Sequence, residues 1–149
     1  MKSIRTIIGL TMLMFFFGCS GCEPARKAKP KIYTLEVTAY CACGKCCGWK
    51  RNWYGAPVYS YGPNKGKHKV VGLTASGVKA KKGTIAADTS IFPFGTVMYI
   101  EGYGYGTVED RGGAIKGEKI DLFFPRHSEA LRWGRKKMQV SVWFPDKNK

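Results

Sequence analysis

Beyond residue 31 the chain alternates apolar and polar side chains in short runs, which is the pattern of β-strands that expose one face. Glycine, proline and asparagine interrupt these runs at close intervals, as turn residues do. Helical spacing is confined to residues 128–133, with Ser128 as the N-terminal cap and Gly134 as the stop. The pattern predicts a mainly β fold, a small closed barrel with one short helix. Its strands are expected at 32–40, 70–73, 83–87, 96–100, 106–108, 119–124 and 138–144.

The first 18 residues have the pattern of an export signal. Lys2 and Arg5 precede an apolar run over residues 7–17 that is too short to cross a bilayer as a mature helix. We therefore leave residues 1–18 out of the predicted fold and expect the chain to be exported to the cell envelope.

A glycine precedes a cysteine directly after this run, as at the cleavage and acylation site of bacterial lipoproteins. We expect Cys19 to carry lipid and to anchor the chain to the membrane, with Cys22, which also follows a glycine, as the alternative. Plain secretion and an uncleaved anchor are the other interpretations. Residues 19–31 are rich in lysine, proline and alanine and predict a flexible tether, which leaves residues 32–145 as one domain.

Charge narrows the possible partners. The formal net charge is +15, and it becomes +13 when Lys2 and Arg5 leave with the signal. Such a charge favours a polyanionic partner or surface, although much of it can simply be solvated lysine. An exported chain meets anionic lipid and acidic wall polymers first, and no familiar nucleic-acid-binding motif is present, so we expect no nucleic acid partner. We expect a monomer.

Residues 49–69 depart from the strand pattern, because tryptophan and tyrosine are interleaved there with glycine, proline and basic residues. A loop of this length is usually functional or disordered. Trp53 and Tyr54 are candidates for stacking on the apolar face of sugar rings. The alternative is that the aromatic rings only hold the loop against the barrel.

Four cysteines follow the first predicted strand within seven residues: Cys41, Cys43, Cys46 and Cys47. Export to an oxidising compartment favours disulfides. A bond between the neighbours Cys46 and Cys47 would be strained, so Cys41 and Cys43 are expected to pair with them in one of two ways. A thiolate metal site and free thiols are the alternatives, the former requiring tetrahedral convergence of all four sulfurs.

The two histidines offer no obvious chemistry in the sequence. His68 lies in a basic loop, and His127 directly precedes the predicted helix. Neither lies near a complete set of partners for nucleophilic catalysis. We therefore predict two solvated histidines.

Three aspartates lie at the ends of apolar segments, although the chain is strongly basic: Asp88, Asp110 and Asp121. Burial penalises a charged carboxylate, so such positions suggest a function. Asp121 lies between two apolar neighbours and would share a strand face with Phe123, a setting that raises the pKa of a carboxyl group. The alternative is structural, because aspartate at Asp88 and Asp110 could stabilise turns.

Several motifs in a fixed order carry a family resemblance over residues 37–143. Together they resemble the three-aspartate, or 3D, domain of stationary-phase survival proteins and resuscitation-factor-like wall proteins, which is similar to the catalytic part of membrane-bound lytic transglycosylase A. The resemblance implies a double-psi β-barrel. The motifs are Val37-Thr-Ala-Tyr-Cys-Ala-Cys-Gly-Lys-Cys-Cys-Gly48, Leu73-Thr-Ala-Ser-Gly77, Thr84-Ile-Ala-Ala-Asp88, Phe92-Pro-Phe-Gly-Thr96, Ile100-Glu-Gly-Tyr-Gly-Tyr-Gly106, Glu109-Asp-Arg-Gly-Gly-Ala-Ile-Lys-Gly117 and Ile120-Asp-Leu-Phe-Phe124.

The resemblance also implies an activity, the cleavage of peptidoglycan glycan strands without water and without a cofactor. It identifies Asp88, Asp110 and Asp121 as the name-giving aspartates, with Asp121 as the catalytic acid. Thr74 and Ser76 are expected as polar contacts in the same cleft. The rival interpretations are a glycan-binding module without catalysis, and a hydrolase that uses two of the carboxylates with water.

Overall fold

The computed structural model describes residues 29–146. The expected signal peptide, most of the expected tether, and both candidate lipidation sites, Cys19 and Cys22, lie outside the described residues and stay predictions. Within residues 29–146 no helix is both long and apolar enough to span a membrane.

Six strands close into a barrel in the order β1-β7-β4-β6-β5-β8, and a separate hairpin pairs β2 with β3. The predicted mainly β fold with a small closed barrel is confirmed. The elements are β1 (Lys31–Tyr40), α1 (Gly44–Cys47), β2 (Trp49–Arg51), β3 (Pro57–Tyr59), β4 (Thr84–Ala87), β5 (Val97–Ile100), β6 (Gly104–Asp110), β7 (Lys119–Phe123), α2 (His127–Trp133) and β8 (Lys136–Trp143).

The barrel mixes parallel and antiparallel pairs. Strand β1 runs parallel to β7, and β4 runs parallel to β6. Strands β7 and β4 are antiparallel neighbours, so the two parallel pairs meet side by side. Strands β5 and β8 complete the circle through antiparallel pairs with β6 and β1. This arrangement brings strands from distant parts of the sequence, β1, β7, β4 and β6, into one continuous surface.

Strand alternation decides which side chains fill the barrel. Inward-facing Val37, Ile85, Ile120 and Leu122 have no exposed surface, and Phe92 closes the interior from the segment after β4. Burial of large aliphatic and aromatic side chains is the main contribution to the stability of such a core. A second, smaller apolar cluster lies on the outer face of the same strands and contains Tyr40, Ala86 and Phe123.

Three short features differ from the sequence-based prediction. The structure has a second helix, α1, whose four residues are too few to show a helical period. Part of the aromatic segment 49–69 forms the β2–β3 hairpin, and the strand predicted at 70–73 is reduced to one isolated bridge between Leu73 and Lys79. Each of these segments lacks a long alternating run, so tertiary contacts determine its conformation.

An irregularity in the β4–β6 pair has a direct consequence for side-chain direction. Ile85 pairs with Val108, but the next residue, Ala86, pairs with Asp110, so the register shifts by one residue at Glu109. Without this shift, Asp110 would alternate to the inside of the barrel with Val108. The bulge turns the Asp110 side chain to the outer face.

Candidate functional site

Asp121 lies in the middle of β7 with its carboxyl group largely buried. The Thr38 hydroxyl donates a 2.9 Å hydrogen bond to Asp121 Oδ1. Burial is the main cause that raises the pKa of Asp121, and the negative charge of Asp110 raises it further, while the Thr38 hydrogen bond and Lys119 act in the opposite direction. A carboxyl group with a raised pKa can hold a proton at a higher pH than an ordinary aspartate.

Asp110 ends β6 and accepts three hydrogen bonds. Its Oδ1 accepts from the backbone N–H groups of Ala75 and Arg111, both at 2.9 Å. Its Oδ2 accepts from the Tyr40 hydroxyl at 3.0 Å. Burial raises the pKa of Tyr40 far above its ordinary value, with the charge of Asp110 as the second cause, so this hydroxyl keeps its proton and remains a donor. These bonds hold the Asp110 carboxylate in a fixed orientation.

The strand register places the two carboxyl groups on one face of the sheet. Ala86 pairs with Asp121 on one side and with Asp110 on the other, while Thr38 pairs with Asp121 from β1. Directly paired residues in a sheet point to the same face, so these four side chains form one row across four strands. The row lies outside the barrel, beside the small cluster that contains Phe123.

Asp88 follows β4 and has a different environment. Its Oδ1 accepts hydrogen bonds from the Ser90 hydroxyl at 2.7 Å and the Ser90 N–H at 3.1 Å, and its Oδ2 accepts one from the Gly117 N–H at 3.0 Å. The Ser90 hydroxyl is the main cause that lowers the pKa of Asp88 to about 2. Asp88 is therefore ionised at neutral pH and ties two turns together, the arrangement that the structural alternative describes.

A cavity of about 150 Å³ opens beside Asp110. Tyr40 and Phe123 form one wall of it, with their ring centroids 5.4 Å apart in an edge-to-face arrangement. Lys69 and Cys47 also line the cavity. A larger cavity of about 580 Å³ lies near Trp143 and Phe144, but none of the three aspartates lines it. Asp110 therefore meets the Lys69 cation and two aromatic rings in the smaller cavity.

Thr74 and Ser76 form a tight turn next to Asp110. The Thr74 hydroxyl donates to the Val78 carbonyl at 2.9 Å and lies 3.1 Å from the Ser76 hydroxyl. The Ser76 N–H donates to the Glu109 carbonyl at 3.1 Å, which docks the turn on β6. Thr74 is buried and Ser76 is exposed. The structure places both residues in the turn next to Asp110, with the Thr74 hydroxyl already hydrogen-bonded within that turn.

Trp53 and Tyr54 occupy the tip of the β2–β3 hairpin. Trp53 is 95% exposed and Tyr54 is 65% exposed, and their rings meet edge to face at 5.0 Å. The Asn52 N–H donates to the Ala56 carbonyl at 2.9 Å, which closes the base of this tip. Both rings are thus open to solvent at the hairpin tip, and their contact with sugar rings stays a prediction.

The cysteine segment does not contain the predicted disulfides. All four thiols, of Cys41, Cys43, Cys46 and Cys47, are free, and the Sγ atoms of Cys41 and Cys46 lie 3.7 Å apart, whereas a disulfide needs about 2.05 Å. The prediction that His127 is solvated is wrong, because its Nδ1 lies among the Sγ atoms of three of these cysteines. The barrel brings residues from both ends of the domain together here, which no local pattern could indicate.

Two residues that contact the carboxyl groups, Thr38 and Tyr40, are not among the site residues predicted from the sequence. Both belong to the first motif of the family resemblance, and their spacing of two puts them on one strand face. That alternation is the signal that could have identified them. Their partners, Asp121 and Asp110, lie at least 70 residues away in the sequence.

Comparison with known proteins gives a family match and two curated relatives. Residues 83–144 match the family model of the 3D domain. The chain is 45% identical over 117 residues to "Putative cell wall shaping protein YabE" of Bacillus subtilis (strain 168), which covers 75% of this chain and 23% of that protein. It is 46% identical over 77 residues to "Cell wall-binding protein YocH" of the same organism, covering 49% of this chain and 27% of that protein. The chain spans about a quarter of the length of these relatives.

Solved structures with partial similarity include the crystal structure of MltA from E. coli. It superposes with a TM-score of 0.39 at 24% sequence identity, over 49% of this chain and 28% of the MltA chain. A structure of E. coli MltA with bound chitohexaose has the same TM-score, 0.39, at 22% identity, over 49% of this chain and 28% of that chain.

Proposed function

The chain carries a 3D domain, and from that premise we propose that it is a peptidoglycan lytic transglycosylase with Asp121 as its single acid and base. One observation carries the proposal: Asp121 is half-buried, its pKa is raised, and it shares a sheet face with a second, fixed carboxylate, Asp110. The two curated relatives are named for shaping and binding the cell wall, which supports a wall polymer as the substrate.

The proposed reaction needs one carboxyl group that first gives and then takes a proton. Protonated Asp121 donates to the glycosidic oxygen between N-acetylmuramate and N-acetylglucosamine, and the bond from that oxygen to C1 of the muramoyl unit breaks. The Asp121 carboxylate then removes the proton from the 6-hydroxyl of the same muramoyl unit, and that oxygen bonds to C1. The products are a free 4-hydroxyl and a 1,6-anhydromuramoyl end, with no water consumed and Asp121 protonated again.

The environment of Asp121 suits both halves of this cycle. Burial and the charge of Asp110 favour the protonated form needed for the first step. The Thr38 hydroxyl stabilises the carboxylate needed for the second step. Asp110 is the positioning group in this proposal, because Tyr40 and two backbone N–H groups hold its charge in place. Asp88 has a structural role in this proposal, because it joins the turns at Ser90 and Gly117.

Substrate contacts are proposed for Trp53 and Tyr54 at the hairpin tip and for Thr74 and Ser76 beside Asp110. Exposed aromatic rings provide the flat apolar surface against which a sugar ring can pack. Mutation of Trp53 to alanine should weaken sedimentation of the chain with purified peptidoglycan, whereas mutation of the exposed Leu131 to alanine should leave it unchanged. Equal sedimentation of both variants would remove Trp53 from the proposed contact surface.

The second candidate function is binding to the wall without catalysis. One relative is named as a cell wall-binding protein, which favours this function. A fold can also persist in proteins that lack the chemistry of their catalytic relatives. A binder would use the same exposed aromatic rings and the same positive charge. It would sediment with peptidoglycan but release no fragments from it.

Digestion of purified peptidoglycan separates the two candidates. The wild-type chain should release soluble muropeptides, and Asp121→Asn should reduce the rate by roughly 10²- to 10⁴-fold, as is usual on loss of a general acid. Asp146→Asn is the matched control, since Asp146 is an exposed aspartate outside the site. The proposed enzymatic activity would be contradicted if the wild-type chain sedimented with peptidoglycan but released no muropeptides, or if Asp121→Asn released them at the same rate.

We also propose an envelope location with a lipid on Cys19. The wall-related names of both relatives support export. Metabolic labelling with a fatty acid analogue should mark the wild-type chain and not Cys19→Ser, with Cys22→Ser as the control. Labelling that persists in Cys19→Ser and is lost in Cys22→Ser would show that Cys22 carries the lipid.

A further inference from the structure

Four potential metal ligands converge where the end of β1 meets the start of α2. They are the Sγ atoms of Cys41, Cys43 and Cys46 and the Nδ1 atom of His127, and all four lie within 4.8 Å of one another. Cys41 is buried and the other three are half-buried, so the group is set into the surface. Cys47 is not one of the four ligands, and its Sγ donates instead to the Cys41 carbonyl at 3.2 Å.

The distances within the cluster are those of a tetrahedron of zinc ligands. With Zn–S bonds of about 2.3 Å and a Zn–N bond of about 2.05 Å, tetrahedral angles separate sulfur from nitrogen by about 3.6 Å and sulfur from sulfur by about 3.8 Å. His127 Nδ1 lies 3.6 Å from Cys41 Sγ, 3.5 Å from Cys43 Sγ and 3.6 Å from Cys46 Sγ. Cys41 Sγ and Cys46 Sγ are 3.7 Å apart.

A disulfide explains this arrangement less well than a metal ion does. A bond between Cys41 and Cys46 would use two of the four groups and leave Cys43 and His127 without a role. It would also give no reason for a histidine at least 81 residues away to point its ring nitrogen equally at three sulfurs. A shared ligand at the centre of the four atoms accounts for every one of these contacts.

We propose that Cys41, Cys43, Cys46 and His127 bind one Zn²⁺ ion in a closed, structural site. Three sulfurs and one imidazole nitrogen in a tetrahedron are a ligand set that zinc prefers. Binding releases the three thiol protons, and the site carries a net charge of −1 with three thiolates and a neutral imidazole. Four protein ligands leave no open position for a reacting water, so the ion stabilises the structure and takes no part in the glycan chemistry.

The ion would connect elements that are otherwise weakly fixed. The four-residue helix α1 contains no buried residue, and its N-cap residue, Cys43, makes no side-chain capping bond. A metal ion would hold α1 to the end of β1, through Cys41, and to the first residue of α2, His127. Because Tyr40 directly precedes Cys41 and donates to Asp110, the same ion would also steady one wall of the cavity beside Asp110.

Metal analysis of the full chain, produced in zinc-containing medium and purified without chelator, tests the proposal. We expect about one zinc per chain in the wild type, and X-ray absorption showing three sulfurs at about 2.3 Å and one nitrogen at about 2.05 Å. Reduced wild-type chain without zinc would overturn the proposal. A Cys41–Cys46 disulfide in chain isolated from the envelope, detected as a mass lower by two hydrogens before reduction, would overturn it as well.

Matched variants assign the ligands. Cys43→Ser and His127→Ala should lose most of the bound zinc, whereas Cys47→Ser and His68→Ala should keep it, because these two control residues lie outside the cluster. His127→Cys, which restores four ligands, should bind zinc again and keeps the test valid if His127→Ala does not fold. Zinc retained in both Cys43→Ser and His127→Ala, or lost in Cys47→Ser alone, would refute the assignment. Neither result bears on the release of muropeptides, which tests the proposed function separately.

Discussion

At the scale of single residues, Asp121 and Asp88 have environments that shift their pKa values in opposite directions. Asp121 is half-buried with one hydroxyl donor, and its pKa is raised. Asp88 accepts three hydrogen bonds from Ser90 and Gly117, and its pKa falls to about 2. Asp121 therefore tends to keep its proton, whereas Asp88 tends to lose it. The two residues should make the stability of the fold depend on pH in opposite directions.

Asp121 should stabilise the folded chain most at low pH. Because its pKa is raised on folding, the folded state binds more protons than the unfolded state once the pH exceeds the ordinary value of 3.8, and stability is lost as the pH rises through the folded pKa. Asp121→Asn removes this dependence. Thermal unfolding followed from pH 4 upward should therefore show the wild type losing stability relative to Asp121→Asn; a constant difference would contradict the raised pKa.

Asp88 should behave in the opposite sense. Its pKa is lowered on folding, so its contribution is present above 3.8 and is lost as the pH falls through about 2. At neutral pH Asp88→Asn should unfold at a lower temperature than the wild type, and the gap should close as the pH falls toward 2. Asp146→Asn serves as the control at an exposed aspartate. A gap that persists at low pH would mean that the charge of Asp88 is not the cause.

At the scale of elements, the close approach of β4 and β6 is what places Asp110 across β4 from Asp121 of β7. A Cβ atom on Gly106 would lie 2.7 Å from the Gly83 carbonyl oxygen and 2.7 Å from Ile85 Cδ1. The Gly83 oxygen belongs to the backbone, and the Ile85 side chain is packed in the core. Neither group can give way unless β4 and β6 move apart. Glycine at this position is therefore a condition for the geometry of the site.

Gly106→Ala should destabilise the chain by about 1–3 kcal/mol, the usual cost of overpacking. Gly113→Ala is the matched control, because a Cβ atom there meets nothing within 4 Å. Urea unfolding of both variants checks the prediction. A Gly106→Ala chain as stable as Gly113→Ala would show that β4 and β6 can separate freely.

How far each element can be predicted from the sequence depends on the length of its pattern. The alternation over β1, β7 and β8 is long enough to predict these strands and the apolar neighbours of Asp121. The bulge at Glu109 has no such signal, since it depends on the pairing of β4 with β6, and it decides the direction of Asp110. The meeting of His127 with the cysteines likewise depends on the closed barrel, which is why the local pattern around His127 wrongly predicts a solvated side chain.

At the scale of the whole molecule, positive charge dominates the surface. The net charge of +13 that remains without residues 1–18 is carried largely by exposed lysines, among them Lys79, Lys81 and Lys82. A surface of this kind attracts polyanions over distances of about 10 Å at 0.1 M salt and only about 3 Å at 1 M. Electrostatic attraction to acidic wall polymers is the expected consequence.

Binding to isolated cell walls should therefore weaken as salt rises. Replacement of Lys79, Lys81 and Lys82 by glutamate should weaken it further at low salt and change little at high salt. Walls stripped of their acidic polymers should bind less of the wild-type chain and show less dependence on salt. Sedimentation assays check all three outcomes, and binding that does not respond to salt would rule out a role for the charge.

The central claim is that Asp121 cleaves a glycan strand by promoting attack of the muramoyl 6-hydroxyl on C1 of the same sugar, and the mass of the reaction products tests it most directly. We predict that muropeptides released by the wild-type chain carry 1,6-anhydromuramoyl ends, lighter by one water molecule than hydrolytic ends, and that Asp121→Asn releases them roughly 10²- to 10⁴-fold more slowly. Products of hydrolytic mass, or anhydro products released equally by Asp121→Asn, would contradict the account.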